Sequence, residues 1–205
     1  MTFATNVFIN CPFDEEYREL LRPMLFTIIF VGLTPRIALE SLDSGQPRIE
    51  KILKLVRESR FGIHDLSRIQ ARTNDELYRL NMPLELGIDF GSRRFGADEL
   101  QSKRFLILES KPYRYQAAIS DLAGSDIEVH DDKPYQLINI IRDWLGTEAQ
   151  VETVGTNEIW MSFNDFSDEN RSRLLANGFS IQDVARLSIR ELIRHMTDWV
   201  RAQPV

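Results

Sequence analysis

The chain has 205 residues, 43% hydrophobic and 27% charged, with 25 basic against 31 acidic side chains and a formal net charge of -6. That balance suits one α/β core of ordinary size and argues against nonspecific nucleic-acid binding, which needs a basic field to neutralise phosphates. One cysteine, Cys11, and three widely separated histidines, His64, His130 and His195, exclude an internal disulfide and a Cys/His zinc site, so no structural metal is expected. The longest apolar stretch, 24–33, is too short to span a bilayer, and the first residues lack the basic and apolar regions of a secretory leader; a cytoplasmic location is the expectation.

Residues 6–11 form a short apolar run that predicts a buried first strand, ended by Pro12. Asp14, Glu15 and Glu16 precede an apolar-periodic segment that predicts a helix over 14–31, with Pro23 expected to kink or break it and Gly32 to stop it. A second strand is expected over 35–42, a turn at 43–45, a helix over 48–58 and a third strand over 60–66. Residues 68–78 are polar and read as a loop. A helix then opens at 81–83 and runs to about Phe90, with Gly91 as its stop. Further on come a fourth strand at 103–109, a short helix at 115–122, a fifth strand at 127–130 and an amphipathic helix at 134–145.

Strands alternating with helices at this spacing predict a flavodoxin-like, doubly wound parallel sheet with helices on both faces. The expected division is an α/β domain over 1–147, then a polar linker and a helical appendage within 148–205, with helices at 168–178 and 181–201 and Ser180 capping the second. Ile181, Val184, Leu187, Ile189, Leu192, Ile193 and Met196 form an apolar stripe that either packs on the chain's own core or serves an oligomer interface.

Right-handed crossovers put every strand's C-terminal end on one sheet edge, where ligands bind in such folds. Four segments fall there. In 81–89, Pro83 suits a first helical turn, Asn81 is a candidate N-cap, and Glu85 lies about one turn in, where free amides and the dipole favour its charged form. Gly87 permits close backbone approach, and Asp89 is a further candidate for substrate contact. An ionised carboxylate at this edge can stabilise or attack a sugar losing its base through an oxocarbenium-like transition state; equally, Glu85 can simply support the helix. Asp65, after the third strand, can accept hydrogen bonds from ribose hydroxyls, help protonate a leaving base, or cap the next turn. His64 faces either core or cleft. Asn10 and Phe13 sit in the loop after the first strand, where Phe13 and Tyr17 can stack on a base or join the core. Ser41, Asp43 and Arg48 follow the second strand, with Arg48 suited to a phosphate or to simple surface charge. The basic group Arg93, Arg94, Lys103 and Arg104 has acidic neighbours and reads as a solvated face. There is no GxGxxG, no GxxxxGK[ST] and no GxSxG.

Asn10-Cys11-Pro12-Phe13, Ile63-His64-Asp65 and the 81–87 segment together resemble the superfamily that joins nucleoside 2-deoxyribosyltransferases with Toll/interleukin-1-receptor domains, over roughly residues 6–145. The resemblance implies that Glu85 matches the catalytic glutamate and Asp65 a ribose- or base-contacting aspartate. Asn81 stands where the transferases carry an aspartate, which favours cleavage of NAD or a related nucleotide over deoxyribosyl transfer. NAD then enters as substrate, and no cofactor is expected. The resemblance further implies a homo-oligomer, a role in bacterial defence against phage and a possible partner protein of such a system. A catalytically silent, nucleotide-binding assembly module is the alternative from another class, since one fold hosts many functions.

Overall fold

The computed structural model describes residues 2–41, 43–69, 80–113, 119–122 and 124–203. Five strands, β1 (Asn6–Asn10), β2 (Thr34–Ile37), β3 (Phe61–Asp65), β4 (Arg104–Glu109) and β5 (Glu128–Val129), form one parallel sheet in the order β2-β1-β3-β4-β5. β1 and β3 are buried along their whole lengths, as expected of central strands covered on both faces. The register sets Asn10 beside His64, Asp65 beside Leu108 and Glu109 beside Val129. The order reverses between β1 and β3, so the switch point of this flavodoxin-like sheet lies at the ends of those two strands.

Seven helices are described: α1 (Arg18–Phe30), α2 (Arg48–Arg57), α3 (Asn81–Phe95), α4 (Pro134–Glu148), α5 (Thr156–Ala176), α6 (Ile181–Ala185) and α7 (Ile189–Ala202). Alternation along β1 divides the core. Val7 and Ile9 face α1 and α4, whereas Phe8 packs with Ile52, Leu55 and Val56 of α2. α1 is apolar nearly all round because it is covered twice, by the sheet and α4 on one side and by α5 and α7 on the other. Phe26 is the pivot of that double cover. Its ring meets Phe30, Phe163, Phe166 and Trp199 with centroids 5.6, 5.6, 5.7 and 5.8 Å away. Leu192 and Met196 of the apolar stripe are buried in the same cluster, while Ile181 stays exposed.

β2 is an outer strand, and its free side is closed locally. Pro35 has no N–H to offer. The Ile37 N–H donates to Glu40 Oε2 at 3.3 Å, and that carboxylate is held in turn by the Arg36 guanidinium, with Nε to Oε1 at 3.0 Å. The same clamp ends the strand at Ile37, followed by a 3-10 turn at Ala38–Glu40, so the second strand is shorter than the predicted 35–42; Leu42 lies outside the described residues.

Other expectations are corrected. Pro23 does not end α1, which continues to Phe30. Gly91 does not stop α3, which runs to Phe95 with Gly96 beyond it; an isolated glycine costs a helix only about 1 kcal/mol. α5 begins at Thr156, twelve residues before the predicted 168. Its buried positions Ile159, Phe166, Asn170 and Leu174 are thinly spread among polar residues, which hid the first half of the helix. The single helix expected over 181–201 is two, because Ser188 opens α7 with its own capping box to Glu191. Ser180 caps α6 as expected, accepting from the Asp183 N–H. Of the helix expected at 115–122, only a 3-10 turn at Ser120–Leu122 is described; 115–118 and the 70–78 part of the predicted loop lie outside the described residues.

Because Phe26 joins α1 to α5 and α7, truncating it should unsettle sheet and C-terminal helices together. Phe26→Ala is expected to cost about 3–5 kcal/mol in urea unfolding. Far-UV circular dichroism and tryptophan fluorescence, which samples Trp144, Trp160 and Trp199, should follow one coincident transition; separate transitions would show that α5–α7 fold apart from the sheet.

Candidate functional site

Two polar networks are anchored at the C-terminal ends of the strands, and the first runs back beneath α3 to the start of β4. The first starts at Asn10, whose Nδ2 donates to the Met82 carbonyl at 2.8 Å and to His64 Nδ1 at 3.1 Å. With Nδ1 accepting, the His64 proton sits on Nε2, 3.1 Å from Asp89 Oδ2. Asp89 Oδ1 in turn pairs with Lys103 Nζ at 3.1 Å, and Lys103 also donates to the carbonyls of Val56 and Ser59. All four side chains are buried. Burial pulls the Lys103 ammonium below its ordinary value, and the adjacent Asp89 carboxylate offsets part of that pull. Gly62 makes the room: a Cβ there would lie 2.6 Å from Asp89 Oδ2 and 2.8 Å from His64 Nε2.

The second network centres on Asp65. Its Oδ2 accepts from the Tyr17 hydroxyl at 2.5 Å and from His130 Nε2 at 3.0 Å, and its Oδ1 from the Ser67 N–H at 2.8 Å. His130 Nδ1 accepts from the Asp132 N–H at 3.1 Å, which puts the imidazole proton on the nitrogen facing Asp65. Burial alone would push the Asp65 carboxyl up, yet the hydrogen bonds of His130, Ser67 and Tyr17 together hold it below its ordinary 3.8. This carboxylate fastens α1's first residues, the β3 end and the β5 end to one another. Arg68 adds a looser tie over the same loops, 4.0 Å from Asp14, 3.9 Å from Glu16 and 3.7 Å from Asp132.

Between the networks, at the β1/β3 switch point, opens a cleft of about 360 Å³ lined by Cys11, Pro12, Phe13, Asp14, Arg48, Asn81 and Met82. Arg48 comes from the start of α2 and lies over the Phe13 ring, 5.3 Å from its centroid. Its Nη2 is 3.5 Å from Glu85 Oε1, behind the cleft wall. The Arg48 side chain is half exposed while that of Glu85 is 7% exposed, so the pair spans from solvent into the interior. Burial raises the Glu85 carboxyl above its ordinary 4.5, and Arg48, His64 and Asn81 only partly counter it. Burial likewise lifts the Cys11 thiol, with Asp65 and Glu85 adding to the rise, so Cys11 stays protonated and is no nucleophile.

The sequence-predicted residues therefore separate into groups. Phe13, Arg48, Asn81 and Glu85 come together around the cleft. Asn10, His64 and Asp89 lie in the first interior network and Asp65 in the second, all satisfied by protein partners and closed to solvent. Ser41 and Asp43 line no part of the cleft: their carbonyls accept from Lys51 Nζ, and the Asp43 carboxylate holds the Gly45 N–H at 2.9 Å. Asn81 is not an N-cap. The preceding position is Leu80, with no side-chain cap, and the Asn81 side chain instead favours the charged form of the Glu85 carboxyl. Because α3 starts at Asn81, Pro83 is its third residue and Glu85 falls past the free amides, which is why the dipole does not lower its pKa. Lys103 is not on a solvated face but fully buried.

Tyr17, Ser67 and His130 carry the Asp65 network and were not singled out for it. Parallel register was the available signal for His130, which directly follows β5 and so reaches the same edge as Asp65. Among the described residues no group of His, Cys, Asp and Glu is arranged to hold a metal ion, and no helix is long and apolar enough to cross a membrane.

The depressed Asp65 carboxyl yields a pH signature. A group whose pKa falls on folding adds stability in full above its unfolded value and loses it as pH drops through its folded value. Asp65→Asn, which leaves the Tyr17 and His130 donors short of a charged acceptor, is expected to cost about 3 kcal/mol at pH 7. In chemical denaturation that deficit should shrink once pH falls below 3.8; a deficit independent of pH would refute the role.

No family model, curated protein or solved structure matches this chain.

Proposed function

We propose that the chain binds NAD or a closely related nucleotide at the switch-point cleft and hydrolyses its N-glycosidic bond, with Glu85 as the catalytic carboxylate. The observation that carries this reading is the position of the Arg48 guanidinium. A flat, delocalised cation lies over the face of Phe13 and 3.5 Å from the Glu85 carboxylate. A nicotinamide ring in NAD is also a flat, delocalised cation. It can take the same position, stacked on Phe13 and balanced by Glu85, while Arg48, half exposed and on the start of α2, turns to the pyrophosphate. Neutral nucleosides offer no such exchange of one cation for another, so the arrangement favours NAD over base exchange between deoxynucleosides.

The chemistry asks little else of the protein. As the ribose C1′–N bond breaks, its electron pair neutralises the pyridinium, so nicotinamide leaves without needing a proton. Positive charge builds on the ribose, and Glu85, screened from water by burial, stabilises it. Water then adds to C1′ and releases a proton, giving ADP-ribose. Asp65, locked by three donors, contributes by holding the loops rather than by touching the reacting atoms.

The raised Glu85 carboxyl implies a cost in the resting protein. Folding raises its pKa, so the native state holds that proton more tightly than the unfolded chain, and stability falls as pH rises above 4.5. Glu85→Gln is therefore expected to be more stable than wild type at pH 7, with the gain vanishing below 4.5, while nicotinamide release from NAD drops on the order of 10²- to 10⁴-fold. Chromatography of nicotinamide and ADP-ribose checks the activity and thermal unfolding the stability. Saturable NAD binding by wild type without any turnover would reject the hydrolase in favour of a nucleotide-binding module.

A further inference from the structure

At the opposite edge of the sheet, where the strands begin, a cavity of about 730 Å³ is lined by Phe90, Arg93, Arg94, Gln101 and Arg104. Its sign is unusual for this chain. The net charge is -6, yet three guanidiniums line the cavity and no carboxylate does. Arg93 is set in place by two rings, its guanidinium 4.7 Å from the Phe90 centroid and 4.6 Å from that of Phe105, while the rings stack on each other at 5.7 Å. Held over ring faces, a guanidinium keeps its N–H edge available for hydrogen bonds. Arg104 is braced by Nε on Glu148 Oε2 at 3.0 Å and by Nη1 on the carbonyls of Ser102 and Lys103 at 3.2 and 3.1 Å, which leaves Nη2. Among the described residues neither the Arg93 nor the Arg94 side chain has a hydrogen-bond or ion-pair partner. A position in the last turn of α3 suits a cation through the helix dipole. The dipole does not account for a third guanidinium supplied by β4 or for the clamp on Arg93.

We infer that this cavity is a binding site for the oligophosphate group of a small ligand, held by Arg93, Arg94 and Arg104. A lone carboxylate is satisfied by one bidentate arginine. Two guanidiniums and the free Nη2 of a third lining one cavity of this size fit several tetrahedral groups carrying several negative charges. Phe90, partly exposed, adds a flat wall beside them, suited to the base of a nucleoside diphosphate. The site lies at the N-terminal ends of the strands and is separate from the switch-point cleft, so it is open to a ligand that regulates the chain rather than one that is consumed.

The test uses the full chain carrying Arg48→Ala, which removes the cation of the switch-point cleft, so that failure of the NAD reading leaves this one standing. Isothermal titration with inorganic pyrophosphate, and in parallel with ADP, is expected to give one saturable site. Adding Arg94→Glu should weaken binding tenfold or more (about the worth of one charge-assisted contact), and Arg93→Ala likewise. Arg94 is exposed, so its substitution leaves the fold intact even if Arg93→Ala disturbs the ring stack. Tighter binding of ADP assigns a nucleoside diphosphate, and equal binding assigns the phosphate groups alone. Absence of saturable binding, binding unchanged by Arg94→Glu, or citrate binding as tightly as pyrophosphate would overturn the inference.

Discussion

The hydrogen bond from Asn10 to the Met82 carbonyl carries more consequence than any other contact at the functional edge. It ties the end of a central strand to the first turn of α3, and one amide group also orients His64. Parallel pairing of β1 with β3 sets Asn10 beside His64, so the fold itself delivers the two groups to one place. From there the chain of contacts passes through Asp89 to Lys103 and reaches the far end of the sheet. α3 is thus pinned to the strands it covers at Met82 in its first turn and at Asp89 in its middle, and Glu85 lies between those pins. A buried ionic network of this kind adds little net stability compared with apolar packing. Its contribution is placement, and it depends on the absence of a side chain at Gly62.

The two carboxylates at the switch point show how environment divides labour between identical groups. Asp65 is wrapped by donors and driven toward permanent ionisation. Glu85 is nearly as deep but has only an exposed arginine, an asparagine and a neighbouring imidazole to balance it, so burial prevails. The satisfied group stabilises the loops. The group left partly uncompensated carries a cost in the resting protein, and it is on this imbalance that the proposed role of Glu85 rests. Both lie by the same wall: Cys11 is close enough to feel each of them, and its thiol is kept protonated by burial first and by their charge second.

Much of the architecture was legible because parallel sheets write themselves plainly. Runs such as Val7-Phe8-Ile9 and Leu106-Ile107-Leu108 are buried on both faces and read as strands without tertiary knowledge. Proximity of 10–13, 65, 48 and 81–85 to one edge also followed from strand direction alone. The inward or outward sense of each polar residue did not. His64 and Asp89 are indistinguishable in sequence from cleft residues, and only the packing of α3 on β3 turns them inward. Lys103 was hidden for a related reason: it stands in a basic stretch, and its burial depends on Asp89, fourteen positions earlier and brought to it only by the crossover. The direction of the Glu85 shift was not legible, since a change of one residue in the start of α3 moves it from the edge of the free amides to the closed part of the helix, where burial raises its pKa. The C-terminal helices were blurred because α5 carries its core contacts on few residues, Phe163 and Phe166 chief among them.

The treatment of the sheet margins bears on how copies of this chain can meet. One margin, β2, is sealed by Pro35 and by the carboxylate of Glu40 standing in for a neighbouring strand. The other, β5, is only two residues long. It pairs only with Leu108 and Glu109 of β4, whereas the β2 margin is short and blocked against strand addition. At the β2 margin a bound carboxylate thus does what a neighbouring strand would do, and strand exchange between copies is disfavoured there.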